Sequence, residues 1–188
     1  MIIKWLLRIL LVSLILAPCG YAAEIGGVSL PETLVAGNET LTLNGAGLRK
    51  KFFLKVYAGG LYLTEKSTDT KQLLQANVPM AIRMHFIYDG VSAEKLIDAW
   101  NEGFSAATHG KTGPLQEEIN KFNSFFTEEA KEGDIYDIIY TPEEGTRVYI
   151  KDRLMGVIPG LDFKQAVFAI WLGEKPADGG LKEGMLGL

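Results

Sequence analysis

Hydrophobic and polar positions change period several times along residues 24–188, and each change marks an element. From Val28 to Leu63 the pattern is that of strands: Thr40-Leu41-Thr42-Leu43 alternates, and Phe52-Phe53-Leu54-Lys55-Val56-Tyr57 is rich in β-formers. Gly45, Gly47, Gly59 and Gly60 punctuate this stretch, where bends, bulges or a close backbone approach are expected. Asp69 to Asn77 reads as a short helix stopped before Pro79, and Ala81 to Ile87 alternates again as a strand.

Ser92 is a suitable N-cap for the clearest helix, which places Ala93, Leu96, Ile97, Trp100, Phe104 and Ala107 on one face. A second helix is expected after Gly113-Pro114, with Leu115, Ile119, Phe122 and Phe126 on one side and Gly133 at its end. Ile135–Tyr140 and Thr146–Ile150 read as strands around the Pro142-to-Gly145 turn. Asp162 is expected to cap a third helix, Phe163–Leu172, which is apolar on most sides and so predicted to be deeply buried. Strands, helices, strands, helix is an α+β order: an antiparallel sheet covered on one face by a helix layer. No linker or repeat divides it, so residues 24–188 are expected to form one domain.

Residues 1–23 follow a different pattern. Lys4 and Arg8 precede the apolar run Ile9 to Ala17, and Tyr21-Ala22-Ala23 supplies small residues for cleavage, the layout of a secretory signal peptide. The run is short for a membrane anchor, so no stable membrane insertion is expected after cleavage near Ala23. Leu16-Ala17-Pro18-Cys19 also admits a lipoprotein reading, although Pro directly before the Cys fits it poorly. Losing Lys4 and Arg8 takes the formal net charge from −4 to −6, and Cys19 leaves with them. A thiol-free exported chain suits an oxidising compartment. The acidic balance argues against a nucleic-acid partner.

The sequence carries few marks of catalytic chemistry. His85 and His109 lack ligand partners at zinc spacing, and His85 reads as a surface-facing strand residue. Gly45-Ala46-Gly47 before Arg49-Lys50-Lys51 lacks the Gly-Lys-Ser/Thr and the following helix of a phosphate loop. Glu117-Glu118, Glu128-Glu129, Asp134 and Asp137 read as a solvated acidic surface. No metal, cofactor or catalytic residue is expected.

Two stretches carry a family resemblance. Gly45 through Leu63, with Arg49-Lys50-Lys51-Phe52-Phe53-Leu54-Lys55-Val56-Tyr57 at its centre, looks like the strand region of the chalcone isomerase-like family. Gly160-Leu161-Asp162-Phe163 through Ile170-Trp171-Leu172, then Lys175-Pro176-Ala177-Asp178 and Leu181-Lys182, is similar to its C-terminal helix and tail. The resemblance is to the exported bacterial branch and implies an open-faced β-sandwich with a ligand cleft between sheet and helices, in the periplasm or secreted.

The resemblance implies five catalytic motif positions, which fall at Arg49, Tyr57, Ser92, Ala99 and Ile170. Only Arg49 keeps the family's residue. Arg49 and Tyr57 match instead the residues with which non-catalytic members hold a fatty-acid carboxylate. A guanidinium fork and a phenol donor suit that group. Three classes of function follow: a binder of a fatty acid or similar apolar carboxylate, an isomerase of the intramolecular lyase type acting on an enone, and a cell-envelope interaction protein using the acidic helix 114–132. The first ranks highest. The natural ligand, the oligomeric state and the pathway stay open.

Overall fold

The structure is a computed structural model and describes residues 21–188; the signal segment and Cys19 lie outside the described residues, apart from Tyr21 to Ala23. Alternation along Met80–Phe86 shows how the layers are built. Met80, Ile82, Met84 and Phe86 are buried in the main core, whereas Ala81 belongs to a smaller cluster on the other face of the sheet.

The strands are β1 (Tyr21–Ile25), β2 (Val28–Pro31), β3 (Thr33–Ala36), β4 (Glu39–Lys51), β5 (Leu54–Leu63), β6 (Met80–Phe86), β7 (Ile135–Thr141), β8 (Gly145–Ile150) and β9 (Arg153–Ile158). The helices are α1 (Thr70–Gln75), α2 (Ala93–Ala107), α3 (Gln116–Asn123), α4 (Leu161–Leu172) and α5 (Gly179–Leu186). Strands β3 to β9 form one antiparallel sheet in sequence order, and β1 and β2 form a separate two-stranded sheet among the described residues. The expected cleavage point near Ala23 therefore falls within β1.

One core lies between the sheet and the helices, where Trp100, Phe104, Phe122, Phe163, Phe168 and Trp171 are buried. On the opposite face Leu30, Leu41 and Tyr62 form the smaller cluster, and the Tyr62 hydroxyl donates to the Pro31 carbonyl at 3.0 Å. The α+β expectation holds: a sheet with helices on one face. α4 is buried almost throughout, as its apolar composition requires.

Four expectations need correction. Asp162 does not cap α4; Gly160 holds the N-cap at φ +100°, a left-handed position suited to Gly, and Asp162 stands exposed in the first turn. α3 ends at Asn123, not Gly133. Phe125 and Phe126 still pack in the core, but Ala130 is drawn into a bridge with Val91, its N–H donating to the Val91 carbonyl at 2.8 Å. Asp137 is not solvated: it is 7% exposed and accepts two 2.7 Å bonds from Arg83 in a fork-to-fork pair. His85 is half-buried rather than surface-facing, and burial holds its imidazole below the ordinary value.

Three elements were not anticipated, β1, β9 and α5. The last bears directly on the site. α5 lies on β4 so closely that backbone touches backbone: a Cβ on Gly47 would stand 2.7 Å from the Leu181 carbonyl oxygen, and one on Gly184 would stand 2.5 Å from that of Ala46. The glycines of β4 thus serve the close approach that their spacing predicts. The side-chain amide of Asn44 adds a 2.9 Å bond to the Met185 carbonyl.

Candidate functional site

A cavity of about 580 Å³ opens between the β4–β5 end of the sheet, α2, and the chain leaving α4. Its size is that of a small-molecule site. Val56, Met84, Phe86, Leu96, Trp100 and Ile170 provide an apolar wall. Arg49, Lys51, Lys95 and Lys175 lie around it, with Glu102 as the single carboxylate in its lining.

Arg49 and Tyr57 are direct cross-strand partners on β4 and β5, so their side chains leave the sheet on the same face. Both line this cavity. The sequence-level expectation brought together two residues that the register does place side by side.

The surroundings of Tyr57 define its chemistry. It is 8% exposed, and its hydroxyl oxygen accepts a 2.9 Å bond from the Nε1–H of the buried Trp171 on α4. An indole nitrogen only donates, so the phenol acts as acceptor here and keeps its own proton. Among the described residues no protein group accepts that O–H. Burial pushes the phenol up to about 12, against smaller opposing effects from the Trp171 bond and the Arg49 charge. Tyr57 is therefore a neutral donor over the whole physiological range.

Arg49 is partly committed. Its guanidinium donates to the Lys50 carbonyl at 2.9 Å and stands 3.6 Å from the Asp178 carboxylate. Asp178 is the N-cap of α5: one oxygen accepts from the Leu181 N–H and the other from the Lys50 N–H, each at 3.0 Å. These backbone bonds and Arg49 hold its carboxyl below the usual range against the opposing effect of desolvation. A loose, quarter-exposed ion pair of this kind contributes little, about 0–1 kcal/mol. A carboxylate entering the cavity can compete for Arg49.

The other positions implied by the family resemblance divide cleanly. Ala99 and Ile170 line the cavity but offer no hydrogen bond. Ser92 does not line it; its hydroxyl caps α2 by accepting from the Lys95 N–H at 3.3 Å. Four of the five positions thus face one space, where two are apolar.

Sequence reasoning missed Asp178, the Trp171 bond and one further donor. Trp100 lines the cavity, is 5% exposed, and its Nε1–H has no partner among the described residues. Nothing local marks these roles, because each depends on an element distant in sequence. Among the described residues no group of side chains has metal-binding geometry, and no helix is long and apolar enough to cross a membrane.

A family model described as chalcone isomerase-like matches residues 22–187. No curated protein matches the sequence. Solved structures similar to the fold include a fatty-acid binding protein from Arabidopsis thaliana, with 20% sequence identity, a TM-score of 0.68, and coverage of 85% of this chain and 92% of that one.

Proposed function

The chain belongs to the chalcone isomerase-like family, and on that premise we propose that it is an exported, non-catalytic binder of a fatty acid or a similar apolar carboxylate. Residues 1–23 act as the signal peptide and residues 24–188 as the binding domain, in the periplasm or outside the cell. The ligand lies in the cavity with its carboxylate between Arg49 and Tyr57 and its chain along Val56, Phe86, Leu96 and Ile170. No cofactor takes part.

The observation that carries this reading is the Tyr57 hydroxyl. It is buried, held by Trp171, raised well above its ordinary pKa, and left with one proton and no acceptor among the described residues. A ligand oxygen beside Arg49 completes it with a charge-assisted bond. The apolar wall contributes about 0.8 kcal/mol for each methylene it buries, so chain length sets much of the affinity. The similar Arabidopsis thaliana structure is that of a fatty-acid binding protein, which agrees with this assignment.

The isomerase reading is disfavoured by Ala99 and Ile170. Arg49 can stabilise a developing enolate, but those two neighbours supply no donor to position an enone. Native mass spectrometry of the protein recovered from its host should reveal a bound long-chain acid. Calorimetric titration with acids of increasing length should show affinity rising with each methylene. Chalcone cyclisation above the buffer rate, abolished by Arg49→Ala, would replace this reading with the enzymatic one.

A further inference from the structure

The hairpin joining β4 to β5 carries features that ligand binding does not require. Its two turn residues, Phe52 and Phe53, are 89% and 90% exposed, with Leu54 beside them at 38%. Two of its details run against hairpin stability. Phe52 has φ +57°, a left-handed conformation that Gly adopts freely and a residue with a Cβ adopts at a cost. Lys50 and Lys55 are direct cross-strand partners, so two like charges face each other. A hairpin shaped only for its own stability would carry Gly in that turn and opposite charges in that pair.

Both details make sense against a surface that is apolar inside and anionic at its edge. Phe52 and Phe53 form an apex of exposed rings, and Lys50, Lys51 and Lys55 surround its base. Aromatic rings settle at the boundary between headgroups and acyl chains, while ammonium groups meet lipid phosphates. Positive charge is gathered at this end of a chain whose net charge is −4, since Arg49, Lys51, Lys95 and Lys175 outnumber Glu102 around the cavity. Phe52 and Leu54 also line the cavity, so the apex and the cavity mouth share one end of the molecule. We propose that this end docks on an anionic phospholipid surface, with Phe52 and Phe53 inserted at the interface and the cavity mouth against the bilayer. The surface stands on its own residues and does not depend on the fatty-acid assignment.

The test is flotation of the protein, as recovered from its host, with vesicles of phosphatidylcholine alone and of phosphatidylcholine mixed with phosphatidylglycerol. Binding should require the anionic lipid and weaken as salt rises beyond roughly 0.15 M, where exposed charges are screened within about 8 Å. Lys50→Gln with Lys55→Gln should lower vesicle affinity roughly five-fold per lysine. Phe53→Ser should lower it about ten-fold. Phe52→Gly removes a ring and relieves the backbone, so it should weaken vesicle binding while leaving the thermal midpoint unchanged or higher. That combination separates lost docking from lost folding. Equal flotation of all variants, or no preference for phosphatidylglycerol, would overturn the proposal. So would concentration-dependent dimerisation without vesicle binding, which would give the apex to a second copy of the chain. Phe53 does not line the cavity, so fatty-acid titration of Phe53→Ser keeps the two readings distinguishable. Absent fatty-acid binding with lipid-dependent flotation would remove the ligand assignment and leave the docking surface standing.

Discussion

Tyr57→Phe is the most informative single change, because it acts on stability and on binding through the same oxygen. The ring itself stays: its contact with Phe86, at a centroid distance of 5.6 Å, does not involve the hydroxyl. What is lost is the acceptor for Trp171 Nε1, on a side chain whose residue is 1% exposed. Stranding a buried donor costs about 1–3 kcal/mol, so urea unfolding of the ligand-free protein should show that loss at an unchanged m-value. The stranded indole is present in the free and the bound protein alike. It therefore cancels in a binding measurement, and the change in affinity isolates the bond from the phenol to the ligand. For a donor to a carboxylate with Arg49 still in place, we expect about 1–2 kcal/mol, or roughly five- to thirty-fold in Kd by titration calorimetry. Unchanged stability would mean that Trp171 does not depend on Tyr57. Unchanged affinity with the stability loss intact would refute the carboxylate position and leave Tyr57 as a purely structural acceptor.

Asp178→Ala should tighten binding of a long-chain acid by freeing Arg49, while removing the α5 cap costs about 1 kcal/mol of stability; weaker binding in calorimetry would mean that Asp178 positions Arg49 instead of competing for it. Phe163→Ala should cost about 3–5 kcal/mol in urea unfolding, since Phe163 is buried against Phe104 and Phe122. A loss under about 1 kcal/mol would place α4 outside the core. Tyr57 and Tyr136 are both raised to about 12 by burial. Above an ordinary tyrosine pKa of about 10 the unfolded chain binds fewer protons than the folded one, so their contribution is complete below that pH and lost as pH rises through 12. Denaturant midpoints across that window, with tyrosinate absorbance near the same pH, check it; ionisation of all tyrosines at the ordinary pH without unfolding would contradict their burial.

The most legible helices are α2 and α3, whose apolar residues repeat at one period. α2 announces itself because Leu96, Trp100 and Phe104 recur on one face and Ser92 caps it. α5 did not, because Gly179, Gly180 and Gly184 are poor helix formers. At least Gly184 is there for β4: its side-chain position is occupied by the Ala46 carbonyl. A tertiary demand overrode the local signal. β9 was hidden in the same way, since Gly156 interrupts its apolar run to admit the Phe125 ring, which would stand 2.5 Å from a Cβ. At the site, Arg49 and Tyr57 were legible through the family pattern and their strand setting. Trp171 and Asp178 were not, because a hydrogen bond between residues on different elements leaves no mark in either local pattern. Asp137 shows the converse: it sits in an unremarkable polar setting, and only the register of β6 against β7 brings Arg83 opposite it.

Consecutive strands pair along the sheet, with β4 between β3 and β5, yet the glycine stretch of β4 is covered by α5, and the amide contact from Asn44 to Met185 spans 141 positions. The turns of β3–β4, β4–β5, β7–β8 and β8–β9 are short and can close early, whereas a contact across that separation has a larger entropy of closure and forms late. A chain still being made, or one clipped before Asp178, therefore presents a nearly complete sheet with a bare glycine stripe on β4. It also lacks Asp178 beside Arg49. Arrival of α5 acts as a completion signal for the molecule: the exposed backbone of β4 is covered, and the cationic mouth gains its counter-charge, in the same late step. Partly made chains are the ones open to premature ligand capture and to edge-to-edge association.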